Sequence, residues 1–169
     1  LILRENDVKI TLPSGNDDKS SVTILKRFEK LYEKNSDLAG WLTIDGTTID
    51  YPVMYTPEDN EYYLHLDFDK NWSDPGTPFI DSHCRPFADR TSNVLIYGHN
   101  MKNDTMFGTL TNYKKQEYFN EHPDIYLFTE NKNFKIELFA GYTTTSESDI
   151  YSFPKTSETN EKLIKTAMN

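Results

Sequence analysis

Val94-Leu95-Ile96-Tyr97-Gly98-His99-Asn100-Met101 is the stretch on which the reading of this chain turns. Four apolar, β-favouring residues make a short buried strand. It is the most hydrophobic run in its neighbourhood, which predicts a central place in a sheet. Gly98 then lets the backbone turn tightly or lets another group come close. His99 follows at the exit of the strand, held by rigid structure at the rim of the sheet. An ordinary imidazole titrates near about 6.5, so a histidine in such a position suits a general acid or base. The plainer reading is a surface histidine that closes a turn.

Outward from this run, the same strand chemistry recurs. Leu38 to Ile44 and Thr47 to Val53 flank Asp45-Gly46, the pattern of a β-hairpin. Thr77 to Asp81 reads as a further strand after the turn Asp74-Pro75-Gly76, and Asn60 to Phe68 as a short element before it. Asp124 to Thr129 and Phe134 to Tyr142 pair across a polar Glu130-Asn131-Lys132-Asn133 loop. Helix spacing appears in Val22 to Lys34, where Ile24, Phe28, Leu31 and Tyr32 share a face. Met106 to Tyr113, a segment near Gln116 to Asn120, and a last stretch capped by Ser157 or Thr159 also read as helices. Thr143 to Phe153 is polar and irregular. Residues 1–21 read as a polar leader or linker around Pro13-Ser14-Gly15, and residues 22–169 as one mainly β domain with a few helices.

Composition narrows the function classes. A net charge of -9 with scattered Lys and Arg excludes nucleic acid as a partner, because phosphate binding needs a concentrated basic surface. No basic amphipathic stripe points to a membrane surface, and no apolar run of 18 or more residues is present. No signal peptide is recognisable. Cys84 stands alone, so neither an internal disulfide nor a cysteine-based zinc site can form.

Several residues compete with His99 for a chemical role. Cys84 is a candidate nucleophile by virtue of its thiol, with His83 and Arg85 beside it to lower its pKa; the alternative is an incidental cysteine in a polar loop. His83 and His99 with Asp81 match no familiar ligand spacing, so no metal and no cofactor is expected. His65 reads as structural and His122, before Pro123, as turn chemistry.

Taken together, the segments Gly40-Trp41-Leu42, Ile49-Asp50-Tyr51-Pro52-Val53, Asn60-Glu61-Tyr62-Tyr63-Leu64-His65-Leu66-Asp67-Phe68, Gly76-Thr77-Pro78-Phe79-Ile80-Asp81, Tyr97-Gly98-His99-Asn100-Met101, Asp104-Thr105-Met106-Phe107 and Phe139-Ala140-Gly141-Tyr142 resemble class B sortases in order and spacing, across nearly everything from Val22 to Asn169. The resemblance implies a closed, mostly antiparallel sortase-type β-barrel with an N-terminal helix and additional short helices. It implies a cysteine transpeptidase that cleaves a sorting signal of the form Leu-Pro-x-Thr-Gly or Asn-Pro-x-Thr-Asn after threonine and joins the surface protein to an amine of peptidoglycan or its precursor. His99 matches the family histidine. Asn60, Leu64 and Tyr97 fall where the family lines its peptide groove, and Ser146, Ile150 and Tyr151 fall in the loop that covers the peptide. The resemblance also implies a place on the outer face of the cell membrane, anchored by a segment upstream of this sequence.

In the family the catalytic cysteine ends a strand reading Thr-Leu-x-Thr-Cys, and the oxyanion-stabilising arginine lies on the next strand, both after the last helix. Cys84 does not match that position, so the nucleophile role is not carried onto it, nor the oxyanion role onto Arg85 or Arg90. The expectation is a catalytic domain whose last strands lie beyond Asn169, inactive as these residues alone. A barrel without those strands has an open edge beside Val94 to Tyr97, which invites dimerisation. Two other readings stand beside this one: a non-catalytic sortase-fold module that binds a peptide or wall component, and a hydrolase built on Cys84 and His99.

Overall fold

The Asp45-Gly46 turn closes the hairpin on which the sheet is built. Gly46 has a φ of 75°, and a Cβ there would lie 2.8 Å from the His122 ring, so only glycine fits. The computed structural model describes residues 28–84, 94–129 and 133–145. Its strands are β1 (Leu38–Ile44), β2 (Asp50–Met54), β3 (Phe79–Ile80), β4 (Ile96–Tyr97), β5 (Ile125–Phe128) and β6 (Asn133–Ile136). They lie in the order β4-β3-β2-β1-β5-β6 and form a curled half-barrel. Every neighbouring pair is antiparallel except β2–β3. Helix α1, described over residues 28–34, precedes β1. A 3-10 helix (Gly108–Lys114) and helix α2 (Gln116–Glu121) join β4 to β5.

Side chains alternate across a strand, and here both faces are covered. Leu42, Ile44, Val53, Ile80 and Ile96 enter one apolar cluster. Leu38, Met54 and Phe79 enter the other, with Phe28 of α1 and Tyr63 of the β2–β3 crossover. A bulge between Leu38 and Gly40 shifts the phase at the start of β1, so that Leu38 enters the cluster opposite Leu42 and Ile44 while Ala39 joins theirs.

Four expectations need correction. Val94 to Tyr97 is buried over its first three residues, but β4 is an outer strand among the described residues, with β3 as its strand neighbour. Its hydrophobicity reflects burial in the half-barrel's interior rather than a central place in the order. Asn60 to Phe68 forms a series of turns, not a regular element. The helix expected over Met106 to Tyr113 begins at Gly108 and is 3-10 in type, because Met106 has a φ of 50° and bridges back to Asn100. The strand expected to reach Tyr142 ends at Ile136. Residues 1–27 and 146–169, on which the expected leader, the first part of the expected Val22 to Lys34 helix, the expected covering loop and the expected last helix fall, lie outside the described residues.

Tyr63 ties the crossover to the sheet. Its side chain is fully buried, so its hydroxyl needs partners. It accepts from Asn35 Nδ2 and donates to Asp37 Oδ2, both at 2.8 Å. Burial pushes the phenol's pKa upward, and the Asp37 charge adds to that. Asn35, itself buried, also donates to the Phe68 carbonyl at 2.8 Å, and Lys70 pairs with Asp37 at 2.9 Å.

Asp81 is the second polar anchor, at the end of β3. It is 4% exposed, and accepts from the Tyr97 hydroxyl at 2.8 Å and from the His83 backbone N–H at 2.8 Å; the His83 ring nitrogen lies 2.9 Å away. Burial alone would raise its pKa. The hydrogen bonds from the His83 backbone and Tyr97, with the His83 ring, outweigh burial and hold it below the usual carboxylate range. Cys84, three residues on, is 1% exposed in the interior cluster, and its Sγ accepts from the Leu95 N–H at 3.4 Å. Burial pushes its thiol pKa up, and the Asp81 charge reinforces this. That is the opposite of an activated nucleophile.

Two outcomes follow. Tyr63→Phe leaves the ring in place but removes the shared hydroxyl, and should lower unfolding stability by about 1–3 kcal/mol in a denaturant titration; an unchanged midpoint would show that the network contributes nothing. For Asp81, the folded pKa lies below its ordinary value of 3.8, so its stabilisation is present above that pH and is lost as pH falls through the folded pKa. The stability difference between the protein and Asp81→Asn should therefore be largest near neutrality and shrink below about pH 4. A difference that stays constant down to acid pH would contradict this assignment.

Candidate active site

His99 stands where β4 ends, and two tight approaches place it there. A Cβ on Gly98 would lie 2.5 Å from the Phe107 ring, and one on Gly108 would lie 2.4 Å from the Met101 carbonyl. The backbone therefore folds back on itself over 98–108. The Phe107 N–H donates to the His99 carbonyl at 2.9 Å, and the Met106 N–H donates to the Tyr51 hydroxyl at 3.1 Å. The turn is pinned at both sides of its tip, with the imidazole half-buried.

The ring is held from the crossover. His99 Nε2 lies 3.0 Å from the Leu64 carbonyl oxygen. A carbonyl only accepts, so Nε2 carries the hydrogen and donates. The Leu64 carbonyl is itself fixed by Gly76, whose φ is 58° and where a Cβ would sit 2.2 Å from that oxygen. Around it, the Thr77 N–H donates to the Tyr63 carbonyl at 3.0 Å, the Thr77 hydroxyl to the Leu66 carbonyl at 2.8 Å, and the Ser73 N–H to the His65 carbonyl at 3.0 Å. Asp67 Oδ1 accepts from the Asp69 and Asn71 N–H groups at 2.8 and 2.9 Å, closing the tip of the loop. The Asn71 backbone bond is the main force holding that carboxyl below its ordinary pKa.

Of the groove residues read from the sequence, the structure brings Leu64, Tyr97 and His99 together. Leu64 and Tyr97 are half-buried against the same apolar cluster, and the Tyr97 hydroxyl reaches Asp81. Asn60 is set apart from them in its contacts: its Oδ1 accepts from the Ser82 N–H at 2.7 Å and so secures the segment after β3. Ser146, Ile150 and Tyr151 lie outside the described residues. His83, 71% exposed, pairs with Asp81 rather than joining His99. Among the described residues, no three His, Cys, Asp or Glu side chains gather as a metal site.

The structure adds a residue that sequence reasoning assigned to scaffolding alone. The His65 ring lies 5.4 Å from the His99 ring, tilted by 38°, and is stacked on its other partner, Trp72, at 5.1 Å and 22°. His65 Nδ1 is 3.2 Å from the Asp74 carbonyl oxygen. No local pattern marks this contact, because His65 and His99 meet only through the tertiary fold.

No protein-family model matches the chain. Sortase B of Listeria monocytogenes is 37% identical over 140 residues, 80% of this chain and 55% of that relative. Sortase B of Clostridium perfringens has a similar structure, with a TM-score of 0.73 at 34% identity over 83% of this chain and 77% of that one. A Staphylococcus aureus sortase B–substrate complex gives a TM-score of 0.78 at 26% identity, over 85% of this chain and 66% of that one. The chain spans about half the length of the curated relatives it matches. With likeness of this extent in both sequence and fold, the chain belongs to the sortase B family.

Proposed function

We propose that this chain is the histidine-bearing part of a cysteine transpeptidase that cuts a sorting signal after threonine and transfers the surface protein to a peptidoglycan amine. The observation that carries the reading is the half-buried imidazole of His99, fixed at the mouth of β4 by the Leu64 carbonyl, in a chain of the sortase B family. The signal is of the Leu-Pro-x-Thr-Gly or Asn-Pro-x-Thr-Asn type.

The nucleophile in this reading is a cysteine thiolate from outside these 169 residues, because Cys84 is sealed in the core with a raised pKa. The thiolate adds to the threonine carbonyl, with an arginine, also from outside, stabilising the oxyanion. As the C–N bond breaks, protonated His99 gives its proton to the leaving amine, and a thioacyl intermediate remains. The wall amine then attacks that carbonyl. Neutral His99 takes the amine's proton as the C–S bond breaks, and the thiolate is restored. Leu64 and Tyr97 line the signal's path beside His99, Asn60 holds its wall, and Ser146, Ile150 and Tyr151 belong to the covering loop. The strands that carry the cysteine complete the barrel beside β4; a chain lacking them offers that edge to a second copy.

The site of action in this reading is the outer face of the cell membrane, with the anchor upstream. No described helix is long and apolar enough to cross a membrane.

The test uses the complete protein and a fluorogenic sorting-signal peptide. His99→Ala should reduce cleavage by about a hundredfold to ten-thousandfold, whereas Cys84→Ala should leave the rate within about twofold, since a core thiol takes no part in the chemistry. Full activity in the His99 variant would sink the transpeptidase assignment of that residue. Loss of activity in a folded Cys84 variant would instead favour the Cys84–His99 hydrolase.

A further inference from the structure

We propose that His65 is a positioning residue for His99, and that the crossover loop selects His99 Nδ1 as the nitrogen that exchanges protons with substrate. This inference rests on the transpeptidase reading and concerns the same site.

Two contacts from adjacent residues carry it. The Leu64 carbonyl takes the hydrogen bond of Nε2 at 3.0 Å, which commits that nitrogen to holding the ring. In the neutral ring the lone pair then resides on Nδ1, the nitrogen available to accept a proton. The His65 ring stands against the His99 ring at 5.4 Å and bars rotation towards the loop. His65 is not free to yield. Trp72 stacks on it at 5.1 Å, the Asp74 carbonyl lies 3.2 Å from its Nδ1, and its own carbonyl accepts from Ser73. Trp72 is 73% exposed, yet its indole N–H is tied to Asp74 Oδ1 at 3.2 Å. An exposed indole fixed in this way acts as a backstop: Trp72 braces His65, and His65 braces His99. The bridge between Leu66 and Trp72 sets the two rings on opposite arms of one small loop.

Orientation of this kind matters to rate. A general acid or base must meet the leaving or attacking nitrogen within hydrogen-bond reach, and a small displacement lowers turnover without weakening substrate binding. His65 touches no reacting atom in this scheme, so its removal acts through His99.

The experiment is histidine side-chain NMR of the complete protein labelled with nitrogen-15, with the His99 signals identified by their loss in His99→Gln. At a pH where His99 is neutral, its Nε2 should show the protonated-type shift and its Nδ1 the unprotonated type. His65→Phe should preserve that signature, and His65→Ala should convert it to a mixture of tautomers. In peptide cleavage, His65→Ala should lower kcat by about tenfold to a hundredfold with KM little changed, and His65→Phe should restore most of the loss. If His65→Ala fails to fold, Trp72→Ala takes its place, since it leaves both histidines but removes the brace; it too should mix the tautomers. A proton on Nδ1 in the unaltered protein overturns the choice of nitrogen. An unchanged His99 signature and kcat in His65→Ala, or in Trp72→Ala where that stands in, overturns the positioning role. Neither result touches the transpeptidase reading, which stands or falls with His99→Ala.

Discussion

The buried hydroxyl of Tyr63 is the constraint from which the site's geometry follows. An aromatic ring of that size contributes strongly to the cluster beneath the sheet, but only if its oxygen is satisfied where water cannot reach. Asn35 and Asp37, on the short link between α1 and β1, meet that need. The link, the ring and the crossover therefore take up one arrangement together. Leu64 follows Tyr63 directly, so fixing the ring fixes the carbonyl that holds His99. A local demand for polar satisfaction becomes the orientation of an imidazole on a different strand.

That coupling is needed because β2 and β3 run parallel. A parallel pair demands a long crossover, and such crossovers are usually helical. Here the chain between Met54 and Phe79 makes turns instead, and it replaces helical hydrogen bonds with side-chain anchors. Asp67 closes the tip, Thr77 holds the return arm, and Asn60 fastens the entry to Ser82. Gly76 lets two arms of the loop approach more closely than any side chain allows. Irregular backbone of this kind presents carbonyls and rings outward, which a helix would have used internally.

The parts of the structure that were legible in the sequence are those set by short-range rules. The β1–β2 hairpin shows in its alternation and in Asp45-Gly46; β5 and β6 show as two apolar runs about a polar loop; α2 was placed almost to the residue. His99 was found because glycine, histidine and a buried strand adjoin in the chain. What could not be read was set at long range. The order of β4 depends on which strand faces it, and Val94 to Ile96 are as apolar at an outer position with a covered face as they would be at a central one. The turns over Asn60 to Phe68 are imposed by Tyr63 and Gly76 acting together, which no window of a few residues contains. His65 meets His99 only after β3 and β4 have paired, so its apolar neighbours made it look like simple scaffolding.

The choice of partner for His99 also bears on the chemistry. In many nucleophilic enzymes a carboxylate holds the imidazole and stabilises its cation. Here the buried carboxylate nearest in sequence among the described residues, Asp81, is taken up by Tyr97 and His83, and a backbone carbonyl holds His99 instead. A carbonyl orients the ring without setting a full negative charge beside it. In the proposed transpeptidation the same ring would give a proton to one amine and take one from another, so its direction must hold through both steps. The Leu64 carbonyl on Nε2 and the His65 ring beside it meet that requirement, because Nε2 keeps its hydrogen whether or not Nδ1 carries a proton, and the two contacts hold the ring's direction in both cases.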